Sequence, residues 1–368
     1  MIESLHIQNF RCFADLVISP LGRVNLIAGK NNTGKTALLE ALFLYSGKAA
    51  QPGRWLDLVV TGPRARSSEG VGIGLLTDDL QWLFYGYGQT ANQEIALCAT
   101  SKGAESRLTA HLSAVREFPL ASKVREQGRF GLQGNQGSQL LGEDSRQQDL
   151  FIEVREKGAS FSAFIHLAGA GRGTIPEPIG QGEAIPCRFL PPTSKLNASD
   201  LNQFSKLKGE KRERAIVEAL RIFEPRLVDL QILVSHQEPA LHGDIGIGRM
   251  IPIALMGEGM QRLASILMAG IAAPGGFLLV DEVENGIHHS AMKQVFEVIG
   301  HAARENDVQI FATTHSYECI KAAQAAFAGE HADELRLHRL ESVKGQLKAI
   351  TYPGDVLQAA LDMEREVR

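Results

Sequence analysis

At 368 residues, with 44% hydrophobic and 22% charged residues, the chain is long enough for one large or two medium domains around a sizeable core. A formal net charge of −4 with mixed signs excludes a surface that is basic throughout, so any contact with nucleic acid must rest on a local patch. Cys12, Cys98, Cys187 and Cys319 lie far apart with no C-x-x-C pair, which excludes a zinc framework or disulfide scaffold. The opening "MIESLHIQNF" has no basic leader region and no apolar run is long enough to span a bilayer, so the expectation is a cytoplasmic protein with reduced thiols and no membrane partner.

The segments "SLHIQNF", "DLVISPL" and "VNLIAG" predict three short strands, the first two as a hairpin. The third runs into "GKNNTGKT", and "KTALLEALFLYSG" follows with apolar residues at helical spacing until Gly47 stops it. From about Val71 to Thr100, "VGIGLL", "LQWLFYGYG" and "EIALCAT" predict a strand meander, extended by "FIEVRE" and "FSAFIHL". Between them, "GRFGLQGNQGSQLLGEDSRQQ" is rich in Gly and Gln and predicts a loop, and "LAGAGRGTIPEPIGQGEAIP" is also irregular. Helical character returns in "SDLNQFSKLKGEKRERAIVEALRIF", with Ser199 or Asp200 as cap and Pro225 as stop. Strand-like "LVDLQILVS" and "LHGDIGIG" come next. The helix "GEGMQRLASILMAGIAA", the buried strand "GFLLVDE", the helix "IHHSAMKQVFEVIGHAA" and the buried strand "VQIFATTHS" then alternate. This alternation predicts an α/β fold with a mixed, largely parallel sheet covered by helices. The expected organisation is an N-terminal part with a strand-rich lobe (1–110), an inserted, partly irregular and helical lobe (111–249), and a C-terminal part (250–368).

Gly29 to Thr36 match the spacing G-x-x-x-x-G-K-[ST] between a predicted strand and a predicted helix. There the backbone N–H groups of Gly29, Lys30, Asn31, Asn32, Thr33, Gly34 and the helix start at Lys35, Thr36 and Ala37 can converge on nucleotide phosphates. Lys35 is placed for the β- and γ-phosphates, and Thr36 offers a hydroxyl ligand to Mg²⁺. Asp281 and Glu282 end a buried strand; Asp281 is the second metal candidate, and Glu282 is the candidate to polarise an attacking water. His315, at the tip of the next buried strand, is the candidate contact to the γ-phosphate. ATP is expected rather than GTP, since no [NT]-K-x-D segment appears.

These sites in this order, with "MGEGMQRLASI" just before the acidic strand, resemble the heads of ABC-type ATPases, a P-loop NTPase fold. The resemblance implies a homodimer on ATP binding, in which Met256, Gly257, Glu258 and Gly259 of one head close over the nucleotide of the other. Met256 stands where that family usually carries serine. The distance from Thr36 to Met256 does not suit transporter heads, and the insert has no sustained heptads for a long coiled coil. "LHIQNFRCF", "DEVENGIHHS" and "VQIFATTHSYECI" look like OLD-like and RecF-like AAA family ATPases, without the TOPRIM nuclease domain of full OLD proteins. That likeness implies a place for Arg11 near the phosphates and for Asn285, Gly286 and His288 at the dimer interface. It also implies a catalytic glutamine, for which Gln81 and Gln89 both remain open. Adjacent His288 and His289 point different ways on a helix and are not read as a metal pair. The implied functions are DNA transactions or phage defence through a separate nuclease or toxin chain. The alternatives are a RecF-like DNA-binding repair mediator and a slowly hydrolysing ATP switch. "SKLKGEKRER", with Lys206, Lys208, Lys211, Arg212 and Arg214, is the candidate DNA patch.

Overall fold

The computed structural model describes residues 1–48, 50–51, 54, 81–87, 94–114, 148–156, 159–166, 183–193, 196–235, 238–363 and 366–367. β1 (Ser4–Phe10) and β2 (Phe13–Ile18) form the expected hairpin, and β3 (Val24–Gly29) leaves it to enter the glycine loop and α1 (Lys35–Gly47). Lys48, at φ 47°, closes that helix. β4 (Glu94–Ser101), β5 (Ala104–Ala114), β6 (Gln148–Glu156) and β7 (Ala159–His166) extend the hairpin into an antiparallel sheet ordered β2-β1-β4-β5-β6-β7. After β8 (Cys187–Leu190) come α2 (Ala198–Gly209), α3 (Arg214–Leu220) and a small antiparallel sheet of β9 (Asp229–Ser235), β10 (Glu238–Asp244) and β11 (Ile251–Pro252). The remainder alternates: α4 (Glu258–Ile271), β12 (Phe277–Val280), α5 (His289–Glu305), β13 (Gln309–Thr313), α6 (Tyr317–Ala326), β14 (Leu335–Val343), β15 (Gln346–Pro353) and α7 (Gly354–Asp362).

The central sheet runs β15-β14-β3-β13-β12-β8, parallel throughout except for β15 at its edge. β3, β12 and β13 are buried at every position. Their side chains alternate between two cores: Leu26, Ala28, Leu278, Val280, Ile310 and Ala312 join the one filled by α2 to α7, while Ile27, Phe277, Leu279 and Phe311 join α1 and the antiparallel sheet. A strand covered on both faces reads as an unbroken apolar run, which is why "GFLLV" and "VQIFA" lack polar alternation. α1 is thus clamped between two sheets, with Leu38, Leu39, Leu42 and Leu44 buried. The fold is that of a P-loop NTPase with a mixed α/β architecture.

Three local expectations change. The described part of "LQWLFYGYG", residues 81–87, is not a strand but two 3₁₀ turns, Gln81–Leu83 and Tyr85–Tyr87, with Phe84 bridging Phe10. Leu83 and Phe84 are consecutive yet enter the same core, which a strand's alternating side chains cannot do. The long helix around residues 199–223 is broken: Lys211 at φ 58° separates α2 from α3. A straight helix would carry Leu207 and Leu220 about 20 Å apart, whereas the break lays both on one core. The cap is Asn197, whose side chain accepts from the N–H groups of Ser199 and Asp200 while Asp200 accepts from Asn197 in return. "VGIGLL" and Gln89 lie outside the described residues, as does most of 125–186.

The expected lobe limits cross elements: β5 spans residue 110, the β10–β11 pair spans 249, and α2 and α3 share their core with α4. Among the described residues no helix is long and apolar enough to cross a membrane.

Candidate functional site

The C-terminal ends of β3, β13 and β12 bring together the glycine loop, His315 and the acidic pair, with β13 lying between the other two. The loop turns on Gly29 (φ 147°), Asn32 (φ 64°) and Gly34 (φ 85°). A Cβ at Gly29 would come within 2.6 Å of Leu340 O, and one at Gly34 within 2.6 Å of Cys12 Sγ and 2.7 Å of the Phe13 ring. The loop therefore presses against β14 and the hairpin tip with no room for side chains at either glycine. Thr33 Oγ1 donates to Lys30 O at 2.8 Å, and Lys35 Nζ donates to Gly29 O at 2.7 Å and Lys30 O at 3.0 Å. Burial lowers the pKa of Lys35, opposed by the charges of Asp281, Glu282 and Glu284. Asn31 and Asn32 are exposed, Ala37 is half-buried, and no side chain caps α1, whose first N–H groups form an anion-ready helix start.

Asp281 is buried and held on three sides. Thr36 Oγ1 donates to its Oδ2 at 2.9 Å, Thr313 Oγ1 donates to its Oδ1 at 2.5 Å, and its backbone carbonyl accepts from Arg262 at 2.5 Å. A hydroxyl and a carboxylate this close, both hard oxygen donors beside an uncapped helix start, fit Mg²⁺, which takes few protein ligands and keeps its waters. Glu282 sits at φ 48°, a left-handed conformation costly for a residue with a Cβ. Three bonds fix it there: its N–H to Thr313 Oγ1 (2.8 Å), its carbonyl to Arg262 Nη2 (3.2 Å) and its carboxylate to Asn285 Nδ2 (2.7 Å). His315 is half-exposed; its backbone N–H donates to Glu284 Oε1 at 3.0 Å, and its Nδ1 lies 3.3 Å from the same oxygen.

α4 begins at Glu258 behind Gly257 (φ 121°), with no side-chain cap; Gly257 and Glu258 are exposed and Gly259 is buried. Gly259 packs on the acidic turn so closely that a Cβ there would approach Gly286 O to 2.8 Å, and one at Gly286 would approach Glu258 Cβ to 2.8 Å. Met256 is half-buried against Gly243, and its exposed neighbour is Leu255. His288 is exposed and caps α5. Of the residues expected at an interface, Asn285 is turned inward onto Glu282, while Gly286 and His288 face solvent.

Arg11, expected beside the phosphates, has its guanidinium largely buried, with Nε 2.9 Å from Glu40 Oε2 on the second turn of α1 and Nη1 donating to Trp82 O at 3.4 Å. Burial raises the pKa of Glu40 and the Arg11 charge opposes it, so the arginine serves first as the partner a buried carboxylate needs. In the basic segment, Lys208 pairs with Asp229, Arg212 with Glu210 and Arg214 with Glu218, which neutralises three of its five cations.

Sequence reasoning passed over Arg262, Glu284 and Thr313. Arg262 is 3% exposed on the buried face of α4, and its guanidinium donates to Pro191 O (2.8 Å) as well as to the carbonyls of Asp281 and Glu282. The signal was present: an arginine flanked by Gly259, Met260, Leu263 and Ile266 must be buried with partners.

Comparison with known proteins adds a frame. A family described as "AAA ATPase domain" matches residues 1–69, and one described as "AAA domain, putative AbiEii toxin, Type IV TA system" matches residues 197–320. A protein of Helicobacter pylori named "ATP/GTP phosphatase" is 24% identical over the full length of both chains. RecF of Idiomarina loihiensis, the DNA replication and repair protein, is 40% identical over 62 residues, 17% of this chain and 18% of its own. The solved Smc head domain with an extended coiled coil, bound to the C-terminal domain of ScpA from Pyrococcus furiosus, covers 99% of each chain at 12% identity and a TM-score of 0.47.

Proposed function

We propose that this chain is an ATPase of the ABC head type that hydrolyses ATP with Mg²⁺ within a nucleotide-gated dimer of two copies, a reading supported by the AAA ATPase descriptions matching residues 1–69 and 197–320 and by the full-length relative named "ATP/GTP phosphatase". The observation that carries the site assignment is the 2.9 Å contact between Thr36 Oγ1 and Asp281 Oδ2, which joins the helix start to the acidic strand across 245 positions. Thr36 and Asp281 would hold the metal, which when bound neutralises charge on the phosphoryl oxygens. Lys35, now bonded to the loop's own carbonyls, would exchange Gly29 O and Lys30 O for phosphate oxygens. Glu282, its carboxylate oriented by Asn285, would position and polarise the attacking water, and His315 would contact the γ-phosphate from the tip of β13. The uncapped start of α4, with Gly257 and Glu258 exposed, supports a role in donating N–H groups to the nucleotide of a second copy.

The output would be mechanical, through an effector encoded as a separate chain. The family description naming a putative toxin of a type IV system supports defence as its setting, and the RecF likeness supports DNA as an alternative partner. The name of the Helicobacter relative makes GTP worth testing beside ATP.

Glu282→Gln keeps shape and the bond to Asn285 but loses the base, so turnover should fall about 10²- to 10⁴-fold with nucleotide binding retained. Light scattering on this variant should show a dimer with ATP and a monomer with ADP. A monomer at saturating ATP and Mg²⁺ would rule the gated dimer out, and a dimer unaffected by nucleotide would replace it with a constitutive one.

A further inference from the structure

Glu284 has no part in the site as read from motifs, yet its carboxylate is set into it. The side chain is 9% exposed, against 51% for the ring of His315 beside it. One oxygen, Oε1, accepts the backbone N–H of His315 at 3.0 Å and lies 3.3 Å from its Nδ1; the other, Oε2, is buried with no hydrogen-bond partner. A carboxylate buried with one oxygen unsatisfied is costly unless its charge is used. The turn that carries it is fixed to the end of β13 by two bonds, Val283 N–H to Thr313 O (3.0 Å) and Glu282 N–H to Thr313 Oγ1 (2.8 Å). The spacing between Glu284 and His315 is therefore set by backbone and not by chance rotamers.

We propose that Glu284 is the positioning residue for His315: it fixes the backbone at the strand tip and the Nδ1 side of the ring together, leaving Nε2 as the ring atom directed to the γ-phosphate. A half-exposed imidazole with no anchor would sample several rotamers, and a contact that must form in the transition state gains from being set beforehand. The same turn then serves two reacting groups, Asn285 holding Glu282 and Glu284 holding His315. The proposal rests on the reading of His315 as the γ-phosphate contact.

Steady-state ATPase kinetics on Glu284→Ala, Glu284→Gln, His315→Ala and the double alanine variant test both. Glu284→Ala should lower kcat about 10- to 100-fold with KM for ATP changed by less than about 2-fold, since ring orientation matters in the transition state and not for ground-state binding. Glu284→Gln, whose amide oxygen can still accept from the backbone and from Nδ1–H, should recover most of that loss. It also serves as the near-isosteric variant if the alanine protein folds poorly. The double variant should be no slower than His315→Ala alone. Unchanged kcat in Glu284→Ala, or a double variant slower by the product of the two single effects, overturns the positioning role. Unchanged kcat in His315→Ala overturns the histidine reading and this proposal with it. A loss in His315→Ala with none in Glu284→Ala overturns this proposal alone.

Discussion

Apart from Thr36, which reaches Asp281, the glycine loop is held by side-chain hydrogen bonds that span at most six positions, from Thr33 to Lys30 and from Lys35 to Gly29 and Lys30. The acidic turn opposite is held from afar: Glu282 by Thr313 at 31 positions and Arg262 at 20, His315 by Glu284 at 31, and Asn285 by Pro192 at 93. A wall that closes on itself can be specified by the run from Gly29 to Lys35 alone. A wall assembled from remote segments forms only when the sheet and α4 have packed, so its chemistry and the stability of the fold share residues.

If that contrast is right, breaking the local wall should cost function without stability. Lys35→Ala should weaken ATP binding about 10²- to 10³-fold by calorimetry, because one charge-assisted partner of the phosphates is lost. Its unfolding midpoint without nucleotide should match the wild type. A clear fall in stability would mean that the loop, too, is a structural keystone.

Breaking the remote wall should cost both. Arg262→Ala leaves the carbonyls of Pro191, Asp281 and Glu282 without that donor in a buried place, a loss of about 3 kcal/mol by chemical denaturation. Turnover should fall alongside, since Glu282 loses one of the bonds that hold its left-handed backbone. Arg262→Lys should recover part of the stability, lacking the fork that reaches three carbonyls at once. Loss of turnover at unchanged stability would separate the two roles and end the contrast.

A pH-dependent test concerns what lies beneath the loop. β3 is itself anchored remotely: Asn25 Oδ1 accepts from His338 Nε2 at 3.2 Å, and the Thr351 hydroxyl lies 3.0 Å from Nδ1. Asn25 Nδ2 donates to Gly22 O and Ile310 O, which leaves its oxygen as the acceptor and makes His338 a neutral Nε2–H tautomer. Burial drives the His338 pKa down to about 3 from an ordinary 6.5. The unfolded chain then binds the extra proton first, so this stabilisation is full above about pH 6.5 and declines as pH falls toward 3, by up to ~1.4 kcal/mol per pH unit. Denaturation midpoints measured across that window should be less pH-dependent in His338→Gln; identical slopes would remove His338 from the account.

The same contrast explains what could be read from sequence. β3, the glycine loop and α1 were legible because strand, turn and helix signals sit side by side, and the buried strands ending at Asp281 and Thr313 were legible because both their faces are apolar. The grip of Glu284 on His315 depends on how residues 281–287 meet the end of β13, which no local pattern encodes. Arg11 was expected near the phosphates, and its pairing with Glu40 depends on how α1 packs under the hairpin, which no local pattern encodes. The turns at 81–87 were misread because an apolar run says that residues are buried without saying that two neighbours enter one core.

Gly259, on α4, and Gly286, on the acidic turn, meet at a separation that admits no added carbon. In a deep mutational scan scored by activity, both positions should appear as intolerant as Lys35, although what forbids substitution is the Gly286 carbonyl and the Phe223 ring at Gly259, and the Glu258 Cβ with a φ of 74° at Gly286, and no contact with nucleotide. Scoring the same library for folded abundance would divide the intolerant positions into two groups, with the glycine pair depleted in both screens and Lys35 depleted only in the first.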